Sequence, residues 1–531
     1  MESDSKSVTI NQGLFKDREK LEKGSVSRGA AVFPIFNLRN NNLILIFQDY
    51  WKWKRALDVE FALTIRDKKG FAHLITKNKP VEEINRLSIK DIVIQNNLDL
   101  NIFNEGLVEI EILSKKNIVY PFPAIIGCYI SENGMVSSVH SCGRTLKEKE
   151  KQFFSETNFF VNKSNRFLPF IHLFNGPSGA ISDIKIKIRE NSSGIIKKII
   201  KVDNIENEFE SKIIYFNVEG ELNNNFEISN SEEYEEISID DKAKYVVTVE
   251  GCCSSIFPRF LCGNYDKKNN HYCVTHTFRE VNFRGDVIKN CTNPSQFSYV
   301  TLPVIKDLFN LKAIVYPTSS PESAKVKLAE SSFSNLDQPI STVTKDLSLK
   351  SCEIYTSNLS SKDHPGVILT ALPDNERNEL PARIGINLMY FLSTGMNTMP
   401  PDIAHQMFSY LTKHKLNYWY SGLLIKGYEN IILGSSITSY SMLERKAEII
   451  DFDFSVKLNN GCELEKNYSF NEEEGKLIKL KLDDLFKEFN LNYENATAYS
   501  WRIKVNKGKM GSIYCLSYNS TIGCIYGEHS F

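Results

Sequence analysis

The chain of 531 residues is several times longer than one usual domain, and its 42% hydrophobic and 24% charged residues are ordinary for a globular protein. A formal net charge of −1 gives no basic excess that would indicate nucleic acid or an anionic membrane as a partner. No apolar run approaches the roughly 20 residues that span a bilayer, and the first residues are polar, so we expect a cytoplasmic protein without a membrane span. The eleven cysteines follow no framework spacing, which favours reduced thiols.

The first folded module is predicted over residues 29–146, after a polar tail over residues 1–28. Apolar and polar residues alternate over residues 59–66, and this period of two indicates a half-buried strand. Residues 67–70 are polar and end in glycine, which predicts a turn, and residues 71–75 predict the returning strand.

Just before this hairpin, aromatic and cationic residues are interleaved over residues 50–55. On a strand, Trp51 and Trp53 would share one face and form a ligand-binding platform that stacks on a sugar or a base. The alternative is that both indoles fill the core of the first module or its joint with the second. The sequence favours the core, and replacement of both residues by alanine distinguishes the two.

The alternating pattern recurs three more times along the chain. We predict a second module with its linker over residues 147–281, a diverged third module with its linker over 282–410, and a fourth module over 411–531. The two linkers are placed at residues 147–165 and 282–298. The alternating runs cover residues 184–189, 325–328 and 450–458.

Arginines follow proline steps in the second and third modules, at Arg259 and Arg383. A guanidinium group binds a carboxylate or a phosphate, so both residues are candidates for ligand binding. The alternative is that each arginine pairs with an acid of its own module, such as Asp240 or Asp241.

A short motif that contains a histidine recurs about 130 residues apart, once in each predicted module. The four histidines are His140, His276, His405 and His529. If four modules closed into a ring, these imidazoles would converge and hold zinc or iron. The alternative is a repeated structural histidine whose ring nitrogens bond to the backbone at a strand end, and the sequence favours this alternative. A nearby histidine, His271, is expected to be an exposed turn residue.

These patterns predict an all-β chain of four tandem β-sandwich repeats, immunoglobulin-like or jelly-roll-like, of about 120–135 residues each, with few short helices. Each alternating strand has one apolar face, so two sheets must pack face to face to bury it.

No phosphate loop, dinucleotide-binding pattern or nucleophile elbow is found, so no catalytic residue can be assigned. Repetition without a catalytic motif favours a non-catalytic binding or scaffold protein with a protein or glycan ligand. One alternative is a metal-dependent enzyme that uses the repeat-end histidines. Another is a structural protein that assembles through its sheet edges. The oligomeric state is left open.

Overall fold

The computed structural model places two compact units, unit 1 within residues 26–279 and unit 2 within residues 287–531. No helix in the described part of the chain is long and apolar enough to cross a membrane. The described residues are 26–81, 84–114, 124–141, 143–146, 152–161, 166–177, 180–190, 195–216, 245–253, 256–257, 260–279, 287–293, 296–305, 307–316, 326–332, 347–349, 355–359, 366–374, 376–381, 384–407, 416–435, 449–470 and 477–531.

Unit 1 contains two sandwiches of eight strands each. Sandwich 1 consists of β1 (Val26–Phe36), β2 (Asn41–Phe47), β3 (Val59–Asp67), β4 (Ala72–Asn78), β5 (Asn85–Ser88), β6 (Glu105–Ser114), β7 (Ile125–Ser131) and β8 (Val136–Ser141). It also contains helices α1 (Tyr50–Arg55) and α2 (Ile89–Gln95) and a 3-10 helix (Leu100–Asn104). Sandwich 2 consists of β10 (Gln152–Val161), β11 (Phe167–Phe174), β12 (Ile181–Glu190), β13 (Ile196–Lys201), β14 (Ser211–Tyr215), β15 (Tyr245–Cys253), β17 (Leu261–Asp266) and β18 (His271–His276). Three short strands complete unit 1: β9 (Gly143–Leu146) pairs with β1, β16 (Ile256–Phe257) pairs with β9, and β19 (Phe278–Arg279) pairs with β10.

Unit 2 contains two more sandwiches. After the short β20 (Val287–Ile288), sandwich 3 consists of β21 (Ser298–Pro303), β22 (Phe309–Tyr316), β23 (Val326–Ser332), β24 (Leu347–Leu349), β25 (Tyr355–Leu359), β26 (Gly366–Pro373), the short β27 (Leu380–Pro381), β28 (Gly385–Leu392) and β29 (Asp402–Gln406). Sandwich 4 consists of β30 (Asn417–Leu423), β31 (Glu429–Gly434), β32 (Ile450–Leu458), β33 (Glu463–Phe470), β34 (Ile478–Lys481), helix α3 (Leu482–Glu488), β35 (Ala498–Lys507), β36 (Tyr514–Asn519) and β37 (Cys524–His529).

The four sandwiches share one topology. We name the eight main strands of each sandwich A to H in chain order. Strands A, F, C and D form one sheet in that order, and strands E, B, G and H form the other. Neighbouring strands are antiparallel, as in the pairs of β3 with β6 and of β32 with β35. The prediction of an all-β fold built from tandem β-sandwiches with few short helices is therefore confirmed.

Strands C and D form the hairpin that the alternating sequence pattern predicts. The pattern over residues 59–66 lies in β3, and its apolar residues Val59, Phe61 and Ile65 are buried. The turn that follows β3 contains Gly70 with φ +88°, and a Cβ atom on it would lie 2.4 Å from the carbonyl oxygen of Glu208. Glycine therefore fits this turn for both its backbone angle and its lack of a side chain.

Each unit has a hydrophobic core that its two sandwiches share. In unit 1 the cluster joins Ala30 and Val32 of sandwich 1 to Leu173 and Ile186 of sandwich 2. In unit 2 a corresponding cluster joins Leu311 of sandwich 3 to residues of sandwich 4. The sandwiches thus pack in pairs, and burial of both partners contributes to each core. Six of the nine cysteines in the described ranges are buried.

Residues 50–55 form a helix, so the prediction that Trp51 and Trp53 share a strand face is wrong. Interleaved aromatic and cationic residues fit a strand by period alone, but the Asp49 side chain caps a helix by accepting a hydrogen bond from the Lys52 backbone N–H. Ala56 ends the helix in the left-handed conformation with φ +50°.

The segment predicted as the linker 147–165 contains strand β10, the first strand of sandwich 2. Its apolar residue Phe154 is buried in the core of unit 1, but Ser155, Glu156 and Asn158 are buried too. These buried polar residues hide the period of two that identifies a strand from its sequence. The segments around the other predicted boundaries lie partly outside the described residues, so the module boundaries stay predictions.

Candidate functional site

The four repeat histidines occupy equivalent positions, on strand H of each sandwich. In every case the partner in the neighbouring strand G lies at or next to the first residue of that strand. The register pairs are His140 with Ile126, His276 with Leu261, His405 with Ile386, and His529 with Tyr514. The repeated histidine therefore marks the place where strand H reaches the end of its sheet.

In sandwiches 2 and 4, the chain crosses from one sheet to the other directly after this histidine. The Thr277 backbone N–H donates to the carbonyl of Phe260, and Phe278 then pairs with strand A of the first sheet. In sandwich 4, Ser530 donates to the carbonyl of Ile513, and Phe531 exchanges backbone hydrogen bonds with Trp419 of strand A. In these two sandwiches, the two residues after the histidine thus connect the sheet that contains strand H to the sheet that contains strand A.

The imidazole rings of these two histidines contact the crossing backbone. Nδ1 of His276 lies 3.0 Å from the carbonyl oxygen of Thr277, and Nδ1 of His529 lies 2.9 Å from that of Ser530. A carbonyl oxygen only accepts hydrogen bonds, so Nδ1 carries the proton in both rings. This geometry agrees with a structural histidine that bonds to the backbone at a strand end.

The histidines also lie in pairs, one pair in each unit. The ring centroids of His140 and His276 are 4.7 Å apart in unit 1, and those of His405 and His529 are 4.7 Å apart in unit 2. The convergence of all four rings on zinc or iron stays a prediction.

A carboxylate lies beside the histidine pair of unit 2. Glu528 directly precedes His529, is 2% exposed, and places Oε1 3.7 Å from Nε2 of His529. Nε2 of His405 lies 3.3 Å from the hydroxyl oxygen of Ser512. Glu528 stands next to a repeat histidine in the sequence, but acidic residues are frequent throughout the chain, so the sequence alone does not single it out.

His271 is buried, so the prediction of an exposed turn residue is wrong. The turn ends at Asn270, and His271 begins β18 opposite Asp266, with 1% of its surface exposed. Burial lowers the pKa of His271 to about 4, and the nearby carboxylate of Asp266 only partly opposes this shift. The Asp266 carboxylate itself accepts two hydrogen bonds from the buried guanidinium of Arg166, at 2.9 and 2.7 Å.

The two tryptophans proposed as a platform differ in exposure. Trp51 is 1% exposed, and its ring contacts Phe47 and Tyr50, which places it in the core of sandwich 1. Trp53 is half-buried. Ligand binding by Trp53 stays a prediction, whereas the ring of Trp51 offers no accessible face for stacking. Arg259 and Arg383 lie outside the described residues.

Strand D is the outermost strand of its sheet in each of the four sandwiches, and its exposed side chains differ between sandwiches 2 and 4. In sandwich 2, exposed isoleucines and lysines meet on β13 and the residue before it. We call this set the β13 edge; it consists of Ile195, Ile196, Lys197, Lys198, Ile199 and Lys201. The equivalent β33 of sandwich 4 instead exposes Glu463 and Glu465.

No family model matches this chain, and no curated protein matches it. Among solved structures, the chain is similar to a tetra-tandem repeat in the extending region of a large adhesion protein, with 9% identity over 94% of this chain and 98% of that one, and a TM-score of 0.08. It is also similar to trypsin-activated alpha-2-macroglobulin from Escherichia coli, with 7% identity over 94% of this chain and 37% of that one, and a TM-score of 0.09. At these TM-scores, neither similarity carries an argument about fold or function.

Proposed function

We propose that this protein is a non-catalytic scaffold that binds extended segments of partner proteins, and that the β13 edge is one of its binding surfaces. The observation that carries the proposal is the exposure of three isoleucines at the β13 edge: Ile195 is 58% exposed, Ile196 41% and Ile199 48%. A cytoplasmic location, as expected from the sequence, belongs to the same proposal.

The edge position of β13 supports strand addition. An edge strand presents backbone N–H and C=O groups that an incoming extended segment can pair with, and alternate side chains then provide specificity. Proteins usually protect such edges with lysines and avoid exposed apolar residues there. The lysines of the β13 edge are typical of a protected edge strand, but the three exposed isoleucines are not.

Charge defines the kind of partner. The polar residues of β13 are all lysines, namely Lys197, Lys198 and Lys201, and Lys185 of the neighbouring β12 lies opposite Lys201 in the register. A segment that alternates acidic and apolar residues would match both the positive charge and the isoleucines.

A glycan ligand receives less support than a protein ligand. The sequence feature that favoured a sugar was a pair of tryptophans on one face, and the structure buries Trp51 in the core of sandwich 1. A single half-buried indole, that of Trp53, provides a smaller stacking surface than the predicted pair.

The test uses a fluorescent ten-residue peptide that alternates glutamate and valine, with a lysine–valine peptide as the charge control. We expect the full chain to bind the acidic peptide, and the double variant Lys198→Glu/Lys201→Glu to bind it at least about tenfold more weakly, measured by fluorescence anisotropy at low salt. Glu465→Lys on the equivalent strand of sandwich 4 is the matched control and should not weaken binding.

Equal binding of the acidic and basic peptides, or no binding of either, contradicts the proposal. Retention of the protein on immobilised glycans together with no peptide binding would favour a glycan ligand instead. Light scattering that rises with protein concentration and is abolished by Lys198→Glu/Lys201→Glu would favour the self-assembly alternative.

A further inference from the structure

The outermost strand of sandwich 1 also exposes large apolar side chains. Phe71, directly before β4, is 67% exposed, Ile75 on β4 is 67% exposed, and Val81, shortly after β4, is 58% exposed. β4 is the last strand of its six-stranded sheet and pairs with β3 on its inner side. Single exposed apolar residues are ordinary on a protein surface, but natural edge strands avoid a row of them.

The position of Phe71 is fixed although its side chain is exposed. The Asp67 carboxylate accepts hydrogen bonds from the backbone N–H groups of Lys69 and Phe71, at 2.9 and 3.1 Å. The same carboxylate lies 3.0 Å from Nε2 of His73, whose ring meets the ring of Phe71 edge-on with centroids 5.1 Å apart. A side chain that is ordered before binding loses less conformational entropy when a partner docks, so Phe71 is suited to anchor one.

The charge of this edge selects the partner. Residues 68–81 contain four lysines and no acidic residue. Two of these lysines meet acids of neighbouring strands: Nζ of Lys77 lies 2.6 Å from the carboxylate of Glu60, and Nζ of Lys68 lies 3.9 Å from that of Glu105. Positive charge remains in excess within the segment, so two copies of this edge would repel each other. An acidic partner segment is attracted instead.

We infer that sandwich 1 carries a second binding site for extended segments that alternate acidic and apolar residues. We call this site the β4 edge; it consists of Lys69, Phe71, Ile75, Lys77, Lys79 and Val81. The partner segment would add to β4 as the next strand of the sheet, with apolar side chains against Phe71 and Ile75. This inference rests on the proposed function for the chemistry of the partner, but it concerns a different strand of a different sandwich.

Binding at the β4 edge should be at least about tenfold weaker than binding at the β13 edge, because Glu60 and Glu105 offset part of its positive charge. The experiment titrates the full chain with the ten-residue glutamate–valine peptide in a calorimeter at low salt. We expect two sites per chain. Lys198→Glu/Lys201→Glu should leave only the weaker site, Ile75→Glu/Lys79→Glu should leave only the tighter site, and the combination of all four substitutions should remove both.

The matched control is Ile94→Glu/Lys479→Glu, which makes the same two residue changes at exposed positions away from both edges and should keep both sites. Hydrogen exchange of the wild type provides a readout that needs no variant. Because an added strand protects the backbone amides of its neighbour, the peptide should slow exchange in β4 as well as in β13.

A single site that Lys198→Glu/Lys201→Glu removes, with no peptide-dependent protection of β4, overturns this inference and leaves the proposed function intact. A single site that only Ile75→Glu/Lys79→Glu removes, with protection of β4, supports the β4 edge and contradicts the β13 edge. If Ile75→Glu/Lys79→Glu does not fold by circular dichroism, protection of β4 in the wild type decides. Binding of the wild type to vesicles of anionic phospholipid, without binding of the peptide, also overturns the inference.

Discussion

The ring of Phe36 in sandwich 1 stacks on the ring of Tyr272 in sandwich 2, with centroids 3.9 Å apart and an angle of 9° between the planes. Phe170 of sandwich 2 meets Phe36 edge-on, with centroids 5.1 Å apart. Phe36 closes strand A of one sandwich, and Tyr272 lies on strand H of the other. This contact makes the two sandwiches of unit 1 parts of one packed body.

Replacement of Phe36 by alanine should therefore destabilise unit 1 as a whole. Loss of a buried phenylalanine leaves a cavity as well as lost apolar burial, and we expect a decrease in the free energy of unfolding of about 3–5 kcal/mol. Urea unfolding measures the change in the free energy of unfolding, and hydrogen exchange of peptides from both sandwiches shows where protection is lost. Phe71→Ala, at a side chain that is 67% exposed, is the control and should change stability by less than about 0.5 kcal/mol. Loss of protection in sandwich 1 alone would contradict the shared core.

The tyrosines of strand G should contribute equally in sandwiches 1 and 3. The Tyr129 hydroxyl donates to the carbonyl of Pro34 at 3.2 Å, and the Tyr390 hydroxyl donates to that of Pro303 at 3.0 Å. Both bonds join strand G to strand A of the opposite sheet. Because phenylalanine keeps the shape and removes only the hydrogen bond, Tyr129→Phe and Tyr390→Phe should each lower stability by about 1 kcal/mol. A change in urea midpoint for one variant and none for the other would contradict their equivalence.

The buried ion pair of unit 1 should be far more sensitive than an exposed pair. Asp266→Asn leaves the guanidinium of Arg166 buried without its countercharge, and we expect a loss of about 3–5 kcal/mol in the free energy of unfolding. Glu488→Gln removes the partner of Lys466 on the surface of sandwich 4 and should cost less than about 1 kcal/mol. Equilibrium unfolding in urea compares the two variants, and similar losses would show that the burial of Arg166 does not determine its contribution.

Unit 1 should lose stability as the pH falls below neutrality. Burial lowers the pKa of His172 to about 3 and that of His271 to about 4, whereas an unfolded histidine titrates near about 6.5. The unfolded state therefore binds protons first, so the contribution of the neutral rings is complete above about pH 6.5 and is lost as the pH falls from there towards 4 and 3.

The expected slope is up to about 1.4 kcal/mol per pH unit for each histidine within that window. Urea unfolding between pH 7 and pH 4.5 measures the slope, and His172→Gln/His271→Gln should flatten it. Retention of the full wild-type slope in a folded double variant would show that other groups cause the pH dependence.

Local sequence patterns predicted several of the strands that have one buried face and one exposed face. In β32 the apolar residues Phe452, Phe454 and Val456 are buried between more exposed polar neighbours, and this alternation is visible in the sequence. The prediction failed at β10, where Glu156 and Asn158 are buried although they are polar. Their hydrogen-bond partners are distant in the chain; the Thr277 hydroxyl, for example, donates to the Glu156 carboxylate at 2.7 Å. No local sequence pattern shows such partners.

The residues of the candidate site could be predicted from the sequence, but their grouping in space could not. Even spacing identified His140, His276, His405 and His529 as equivalent, and all four lie on strand H. Their association in pairs depends on which sandwiches pack together, because His405 meets His529 only where β29 lies against β37.

The amino-acid sequence by itself determined the repeated hairpin of strands C and D, the all-β class and the four equivalent histidines, because backbone geometry forces side chains of a strand to alternate between two faces. Only the tertiary structure decided that sandwiches associate two by two, that Trp51 enters the core on a helix, and that His271 is buried. These features depend on contacts between residues far apart in the chain, and the free energy of burying such surfaces outweighs the local preferences that a sequence pattern records.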